Sequence, residues 1–200
     1  MPSLLTLATG PTALAEHPHQ AEASLAPADR QAAQAAAAKP GALITLALTT
    51  VTAYQIDIVA DVSRELTRQL SLDEEHLWKI ETALSEAVGN ALIHGNLALG
   101  SAAREIGDFA AHDDAVAEAL EDPAKASRLL LLSVSRTSDG IDIIVQDSGE
   151  GFDPGPTPEN PIEEAAGGSG RGVALIQALS DKVTFADHGR SICMSFQLQV

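Results

Sequence analysis

The sequence is poor in the residues that form crosslinks or membrane anchors. Its 200 residues include one cysteine, Cys193, so the chain can form no intramolecular disulfide and no thiolate zinc cluster. No apolar run approaches the roughly 20 residues that a membrane-spanning helix needs. The first residues also lack the basic start of a secretory signal. Together these absences predict a cytoplasmic protein that does not engage a membrane.

Basic residues are scarce as well. There are 12 Lys and Arg against 28 Asp and Glu, and the formal charge is −16. Because nucleic-acid affinity depends largely on cations that neutralise phosphates, this balance argues against direct nucleic-acid binding. An acidic protein can still bind a nucleotide if backbone amides and a metal ion contact the phosphates. The apolar share of 45% indicates a folded domain rather than a disordered chain.

Proline and alanine divide the chain into two parts. Five of the ten prolines lie in residues 1–40, and ten of the eighteen residues in 21–38 are alanine. Such a segment has few side chains that can anchor a core, although alanine favours transient helix. We therefore expect a flexible Ala/Pro-rich tail over 1–40 and a single domain over 41–200.

Hydrophobic periodicity predicts the elements of that domain. The predicted elements are a strand over 42–51, a helix over 53–70, a helix from a Ser71/Glu74 capping box to about His94, an acidic helical insert over 97–127, strands over 128–135 and 141–147, a helix over 171–181, and a hairpin of 183–186 with 191–200. Hairpins and helices are segregated in this order. It favours an α+β fold, a two-layer sandwich of mostly antiparallel sheet covered by a helical layer.

The first group of polar residues with a chemical pattern lies in the second predicted helix. Glu86, Asn90 and His94 recur every four residues and form one line along the helix, roughly opposite the apolar stripe. A solvated helix face would explain this line. A carboxylate base beside an amide oxygen that ligates Mg²⁺ would explain it too, because Mg²⁺ prefers oxygen donors.

Two glycine-containing motifs follow. Asp147, Gly149, Gly151 and Phe152 form D-x-G-x-G-F at a predicted strand end. This pattern is typical of a turn, or of a carboxylate that accepts the amino proton of adenine while glycines let the backbone approach the base. The second motif, GGSGRG over 167–172, leads into a helix and can expose amides to phosphates, or form a simple flexible loop. It lacks the lysine of a P-loop and the preceding strand of a dinucleotide fold.

In this order the three motifs resemble the Bergerat nucleotide-binding site of the GHKL (histidine-kinase-like) ATPase superfamily. The stretch LSLDEEHLWKIETALSEAVGNALIHGN is similar to anti-sigma-factor serine/threonine kinases of the RsbW and SpoIIAB type, and the resemblance spans about 43–200. It implies ATP and Mg²⁺ as cofactors, with Glu86 as general base, Asn90 as the Mg²⁺ ligand and Asp147 as the adenine-recognising group. The implied contacts to the base and phosphates are Gly149, Gly151, Gly168, Ser169, Gly170, Arg171 and Gly172. For His94 we expect a packing role.

The same resemblance implies a nucleotide lid over 153–167 and two protein partners, a STAS-type anti-sigma antagonist and a sigma factor. The kinase would phosphorylate Ser or Thr of the antagonist and regulate the sigma factor by partner switching. In such kinases the sigma factor binds the first helix of the domain, where Arg64 and Arg68 lie here, although two arginines are equally consistent with a solvated face. The insert is longer than the corresponding connection in the simplest anti-sigma kinases. A homodimer is left open.

Two other functions fit the same residues. One is a nucleotide-gated protein-binding module that transfers no phosphate and would keep its control of a partner without Glu86. The other is the ATP-binding part of a histidine kinase. That kinase needs a phospho-acceptor histidine on a helical hairpin, whereas His17 and His19 lie in the Ala/Pro-rich segment.

Overall fold

The computed structural model describes residues 4–8, 27–100, 109–153 and 171–198. Its strands are β1 (Leu4–Ala8), β2 (Ala42–Thr49), β3 (Leu129–Arg136), β4 (Gly140–Gln146), β5 (Lys182–Ala186) and β6 (Ser191–Gln197). Its helices are α1 (Pro27–Ala37), α2 (Thr50–Gln55), α3 (Ile58–Gln69), α4 (Glu74–Gly89), a π-helix (Asn90–Asn96), α5 (Phe109–Glu121), α6 (Pro123–Ala126), α7 (Arg171–Leu179) and a 3₁₀ turn (Asp187–Gly189).

The strands form one sheet in the order β1-β2-β3-β4-β6-β5. Strands β2, β3, β4, β6 and β5 pair antiparallel, which confirms the predicted α+β class with a mostly antiparallel sheet. One row across the sheet joins Leu46, Leu132, Val145 and Ile192, all of them buried. Because side chains alternate between faces, this row and its neighbours two residues away form one apolar surface for the helices.

A helical layer covers that surface. The apolar stripe that the sequence predicts for α4 consists of Leu77, Ile80, Leu84 and Val88. The last three are buried, whereas Leu77 is half-buried. Helix α7 packs against α4, and α3 lies between α4 and β2. The buried side chains of helices and sheet belong to one continuous hydrophobic core. The layer therefore sets α7 directly beside the part of α4 that carries the predicted polar line.

Two described segments of the N-terminal 40 residues lie against the sheet, whereas the sequence predicted a tail outside the domain. Strand β1 pairs parallel with β2, from Leu4 opposite Ile44 to Ala8 opposite Leu48. Helix α1 packs on β2 and β3, with Ala33 fully buried. The high alanine content of this segment was the reason to expect no core contacts. Alanine side chains are nevertheless small enough to let a helix lie close to a sheet. Residues 1–3 and 9–26 lie outside the described part of the chain.

Two helix boundaries also differ from prediction. The helix expected over 53–70 is divided into α2 and α3, because Asp57 begins a new helix by accepting the Ala60 amide at 3.0 Å. The N-cap of α4 is Asp73, whose Oδ1 accepts the His76 amide at 2.8 Å, so the predicted Ser71/Glu74 capping box is wrong. A carboxylate caps a helix as well as a hydroxyl does and also interacts favourably with the helix dipole.

The acidic insert predicted over 97–127 contains the helices α5 and α6, in agreement with its predicted helical character. Leu97, Val116 and Ala119 form a small second core, so α5 packs on the chain just after the π-helix. Residues 101–108 lie outside the described part of the chain. None of the helices in the described ranges is long and apolar enough to cross a membrane.

Candidate functional site

The helix that carries the predicted polar line changes its winding at the line itself. Helix α4 runs directly into the π-helix at Asn90 without a break. The amide of Leu97 donates to the carbonyl of Leu92, five residues earlier, at 2.9 Å. Wider turns of this kind are often found at functional sites, because they change the direction of the side chains that follow. Asn90 thus lies at the point where the winding changes.

Glu86 and Asn90 face the first turn of α7. A Cβ atom built on Gly172 would lie 2.6 Å from Oε2 of Glu86 and 3.2 Å from Nδ2 of Asn90. Both side chains are half-buried, so the interpretation of this line as a simple solvated face is incomplete. The absence of a side chain at Gly172 leaves the carboxylate and the amide together at the N-terminus of a helix, where exposed amides favour anionic groups.

His94 has a different environment. Its side chain is exposed, and Nδ1 lies 2.6 Å from the carbonyl oxygen of Leu99. This bond holds the chain that leaves the π-helix, so His94 has a structural contact through a hydrogen bond, whereas the prediction was packing. The structure therefore brings two of the three residues in the line against Gly172.

Asp147 follows β4 directly, as predicted, and its Oδ1 accepts the Gly149 amide at 2.7 Å. Burial raises the pKa of this carboxyl above its ordinary value, and the nearby Arg190 and Arg128 partly oppose the effect. The carboxylate lies against Gly95 of the π-helix, since a Cβ there would be 2.6 Å from Oδ1. The same π-helix therefore contains Asn90 and contacts Asp147.

The turn between β5 and β6 supports the other glycine of this motif. The Phe152 amide donates to the His188 carbonyl at 2.9 Å, and Gly151, with φ of 80°, lies against the same carbonyl. The rings of Phe152 and Phe185 pack edge to face with centroids 5.7 Å apart. Asp187 and His188 have positive φ, and such strained residues persist only where surrounding contacts hold them.

The sequence prediction missed three contributors to this site. Gly95 was not among the predicted site residues, yet its lack of a side chain makes room for the Asp147 carboxylate. Asn96 is fully buried at the end of the π-helix, and the turn at His188 had no predicted function. The sequence feature that could have pointed to Gly95 and Asn96 is their position directly after the polar line of Glu86, Asn90 and His94. Its meaning depends on β4 lying beside it, which no local pattern shows.

Part of the predicted phosphate-binding motif cannot be placed. Gly168, Ser169 and Gly170 lie outside the described residues, as do residues 154–167 of the predicted lid. Arg171 is the first residue of α7 and is exposed. Of the glycines predicted for the site, Gly149, Gly151 and Gly172 lie within the described residues.

The residues present fit Mg-ATP in chemistry. The Glu86 carboxylate and the Asn90 amide lie together against Gly172, where they can meet phosphates and a metal ion. The half-buried carboxylate of Asp147, against Gly95 of the π-helix, can accept a hydrogen bond from a base amine. Among the described residues no group of three His, Cys, Asp or Glu could hold a metal ion. An Mg²⁺ ion at Asn90 would therefore depend on phosphate oxygens and water for its other ligands, which is its usual mode of binding beside nucleotides.

Comparisons with known proteins point in the same direction. The family described as "Histidine kinase-like ATPase domain" matches residues 49–196 of the 200. The matched range includes Glu86, Asn90 and Asp147. It contains β3, β4 and β5 completely, β6 up to residue 196, and only the last residue of β2. A comparison with curated proteins gave no match.

Proposed function

The chain belongs to the histidine kinase-like ATPase domain family, whose domain implies ATP binding, typically with Mg²⁺, and on this basis we propose that it is a protein serine/threonine kinase of the anti-sigma type. It would transfer the γ-phosphoryl group of ATP to a Ser or Thr hydroxyl of a STAS-type antagonist. By doing so it would regulate a sigma factor through partner switching. The proposal for these partners rests on the sequence resemblance.

One observation supports phosphoryl transfer in particular. The Glu86 carboxylate and the Asn90 amide lie together at the first turn of α7, in the space that Gly172 leaves free. A general base must be within hydrogen-bond reach of the hydroxyl whose proton it removes. Phosphoryl transfer otherwise needs mainly positioning and charge neutralisation, so a small set of groups is sufficient.

Each residue then has one task. Bound Mg-ATP supplies the transferable phosphoryl group and the charge of the metal. Glu86 would accept the proton of the attacking Ser or Thr hydroxyl. The hydroxyl oxygen would bond to the γ-phosphorus while the bond between the γ-phosphorus and the bridging oxygen of ADP breaks. The Asn90 amide oxygen would hold the Mg²⁺ ion. Asp147 would accept a hydrogen bond from the exocyclic amine of adenine and so orient the base.

The proposed sigma-factor surface would include two arginines of α3. Arg64 and Arg68 are exposed on α3, and each pairs within the helix, with Asp61 and Glu65. Exposed pairs at this spacing contribute little to stability and are easily replaced by contacts with a partner. The arginines are thus available to an acidic segment of a partner and equally typical of a solvated helix.

The test is phosphotransfer from radiolabelled Mg-ATP to a purified STAS-domain protein encoded in the same genome. We expect acid-stable phosphoserine or phosphothreonine with the wild type and a loss of about a hundredfold or more in Glu86→Gln. Glu81→Gln, which changes a carboxylate on another side of α4, is the matched control and should retain the wild-type rate.

Other results would point elsewhere. Tight Mg-ATP binding without transfer, unaffected by Glu86→Gln, would support the nucleotide-gated binding module. Acid-labile label on a histidine would support a histidine kinase. If the folded wild type does not bind Mg-ATP in calorimetry, the ATP-dependent function itself is wrong.

A further inference from the structure

Asn96 joins three separate parts of the fold. Its side chain is fully buried at the end of the π-helix. Oδ1 accepts the Ser148 amide at 2.8 Å, and Nδ2 donates to the Leu129 carbonyl at 3.2 Å. The side-chain amide thus ties the π-helix to the loop after β4 and to the first residue of β3.

Further bonds converge on the same point. The hydroxyl of Ser148 also donates to the Leu129 carbonyl, at 3.1 Å, and Arg128 donates to the Asn96 carbonyl at 2.7 Å. Buried polar groups whose bonds are all made hold their surroundings in one arrangement, because any displacement leaves a donor or acceptor unpaired. Ser148 therefore has little freedom to move relative to the π-helix.

Ser148 lies between Asp147 and Gly149, the two residues of this loop that are assigned to base recognition. Asp147 precedes it and Gly149 follows it, and the Gly149 amide is bonded to the Asp147 carboxylate. On the other side of the carboxylate is Gly95, the neighbour of Asn96. The Asp147 carboxylate thus lies directly against Gly95, and Asn96 holds the next residue of the loop, Ser148, by its backbone amide.

We propose that Asn96 is a positioning residue for base recognition: its amide holds the Ser148 backbone so that the Asp147 carboxylate can select an exocyclic amine over a carbonyl on a purine ring. The inference rests on the proposed ATP binding and adds a determinant of its specificity. Asn96 itself touches no nucleotide. It acts through the loop, and its removal should reduce selectivity more than total binding.

The test compares affinities for ATP and inosine triphosphate, which carries a carbonyl oxygen in place of the adenine amine. A hydrogen bond to a charged acceptor discriminates by about tenfold to a hundredfold, so the wild type should prefer ATP by that factor. In Asn96→Ala we expect the ratio of the two affinities to fall by about tenfold. Calorimetry of the full chain with each nucleotide and Mg²⁺ measures both constants.

Val62→Ala is the matched control. Val62 is buried on α3, so its truncation lowers stability without touching the π-helix or the Asp147 loop. It should lower the melting temperature while keeping the wild-type ratio. If Asn96→Ala does not fold, Asn96→Ser replaces it. In that variant, mass-spectrometric hydrogen exchange should be faster in the peptide containing Ser148 and unchanged in peptides from β6.

The outcomes separate the two proposals. An unchanged ATP-to-inosine ratio in a folded Asn96 variant overturns the positioning role while ATP binding stands. A wild type that binds both nucleotides equally well also overturns it. A wild type that binds neither nucleotide overturns the proposed function and, with it, this inference.

Discussion

Gly172 and Glu86 lie so close together that a single added carbon at Gly172 would be 2.6 Å from the Glu86 carboxylate oxygen. The contact joins the first turn of α7 to the last turns of α4, two helices that are far apart in sequence and that pack along one another. The predicted general base is thus located by a neighbour that has no side chain. This relationship makes Gly172 a sensitive point for activity.

For Gly172→Ala we expect phosphotransfer to fall by about tenfold or more, because the new methyl group displaces the Glu86 carboxylate. Stability should change little, since alanine is about 1 kcal/mol better than glycine in a helix and the displaced atoms end a flexible side chain. Transfer assays and thermal unfolding measure the two effects. Gln177→Ala, farther along α7, is the control. A fully active Gly172→Ala protein would contradict the placement of Glu86.

Gly95 and Gly89 provide a second matched pair on the same continuous helix. A Cβ at Gly95 would lie within 2.7 Å of both carboxylate oxygens of Asp147, whereas a Cβ at Gly89 would meet nothing within 4 Å. We expect Gly95→Ala to weaken ATP binding by about tenfold or more as Asp147 is displaced. Gly89→Ala should bind normally and gain about 0.5–1 kcal/mol in stability. Equal affinities for the two variants would rule out this account of the Asp147 site.

The raised pKa of Asp147 predicts opposite effects on stability and binding. The folded chain holds this proton more tightly than the unfolded chain, so the carboxylate reduces stability as pH rises through its folded pKa. Asp147→Asn keeps an acceptor for the Gly149 amide and removes the buried charge. We expect it to melt at a higher temperature than wild type at about pH 7, with the difference shrinking toward about pH 4.

Nucleotide binding by the same variant should be weaker at neutral pH, because the neutral amide is a poorer acceptor for the adenine amine. Wild-type affinity should fall as the solution is acidified through the pKa of Asp147, and this part of the decrease should be missing from Asp147→Asn. Asp113→Asn, on the exposed side of α5, controls for general charge effects. A variant both less stable and equally good at binding would refute the prediction.

The N-terminal layer can be tested with two neighbouring alanines. Ala33 is fully buried against the sheet, and Ala32 is exposed. Ala33→Glu would bury an unpaired carboxylate, so we expect a lower melting temperature and faster proteolysis near Arg30. Ala32→Glu should behave as wild type. Nucleotide affinity should be similar in both, since α1 packs on β1, β2 and β3 and provides none of the residues of the site. Identical melting of the two variants would argue that α1 does not pack as described.

Local pattern was sufficient for most elements of the domain. Apolar runs predicted β3 and β4, alternating side chains predicted β6, and the apolar stripe of α4 predicted which of its faces is buried. Local pattern also selected the candidate site residues Glu86, Asn90 and Asp147. Polar residues at helical spacing and a carboxylate at the end of a predicted strand can be recognised from the sequence alone. The high alanine content led to a wrong prediction for α1, which packs on the sheet with Ala33 buried. Composition does not show whether a sheet is covered by a helix with small side chains.

By itself, the sequence determined the fold class and the types of chemical group available, because periodicity and residue chemistry are local properties. Only the tertiary structure decided which of these groups meet. The packing of α7 on α4 places Gly172 against Glu86, and the pairing of β4 in the sheet places Asp147 against Gly95. The bonds of Asn96 depend on the same arrangement, since its partners are 33 and 52 residues away in the chain. Contacts between distant segments arise from burying a shared core, and no single segment encodes them.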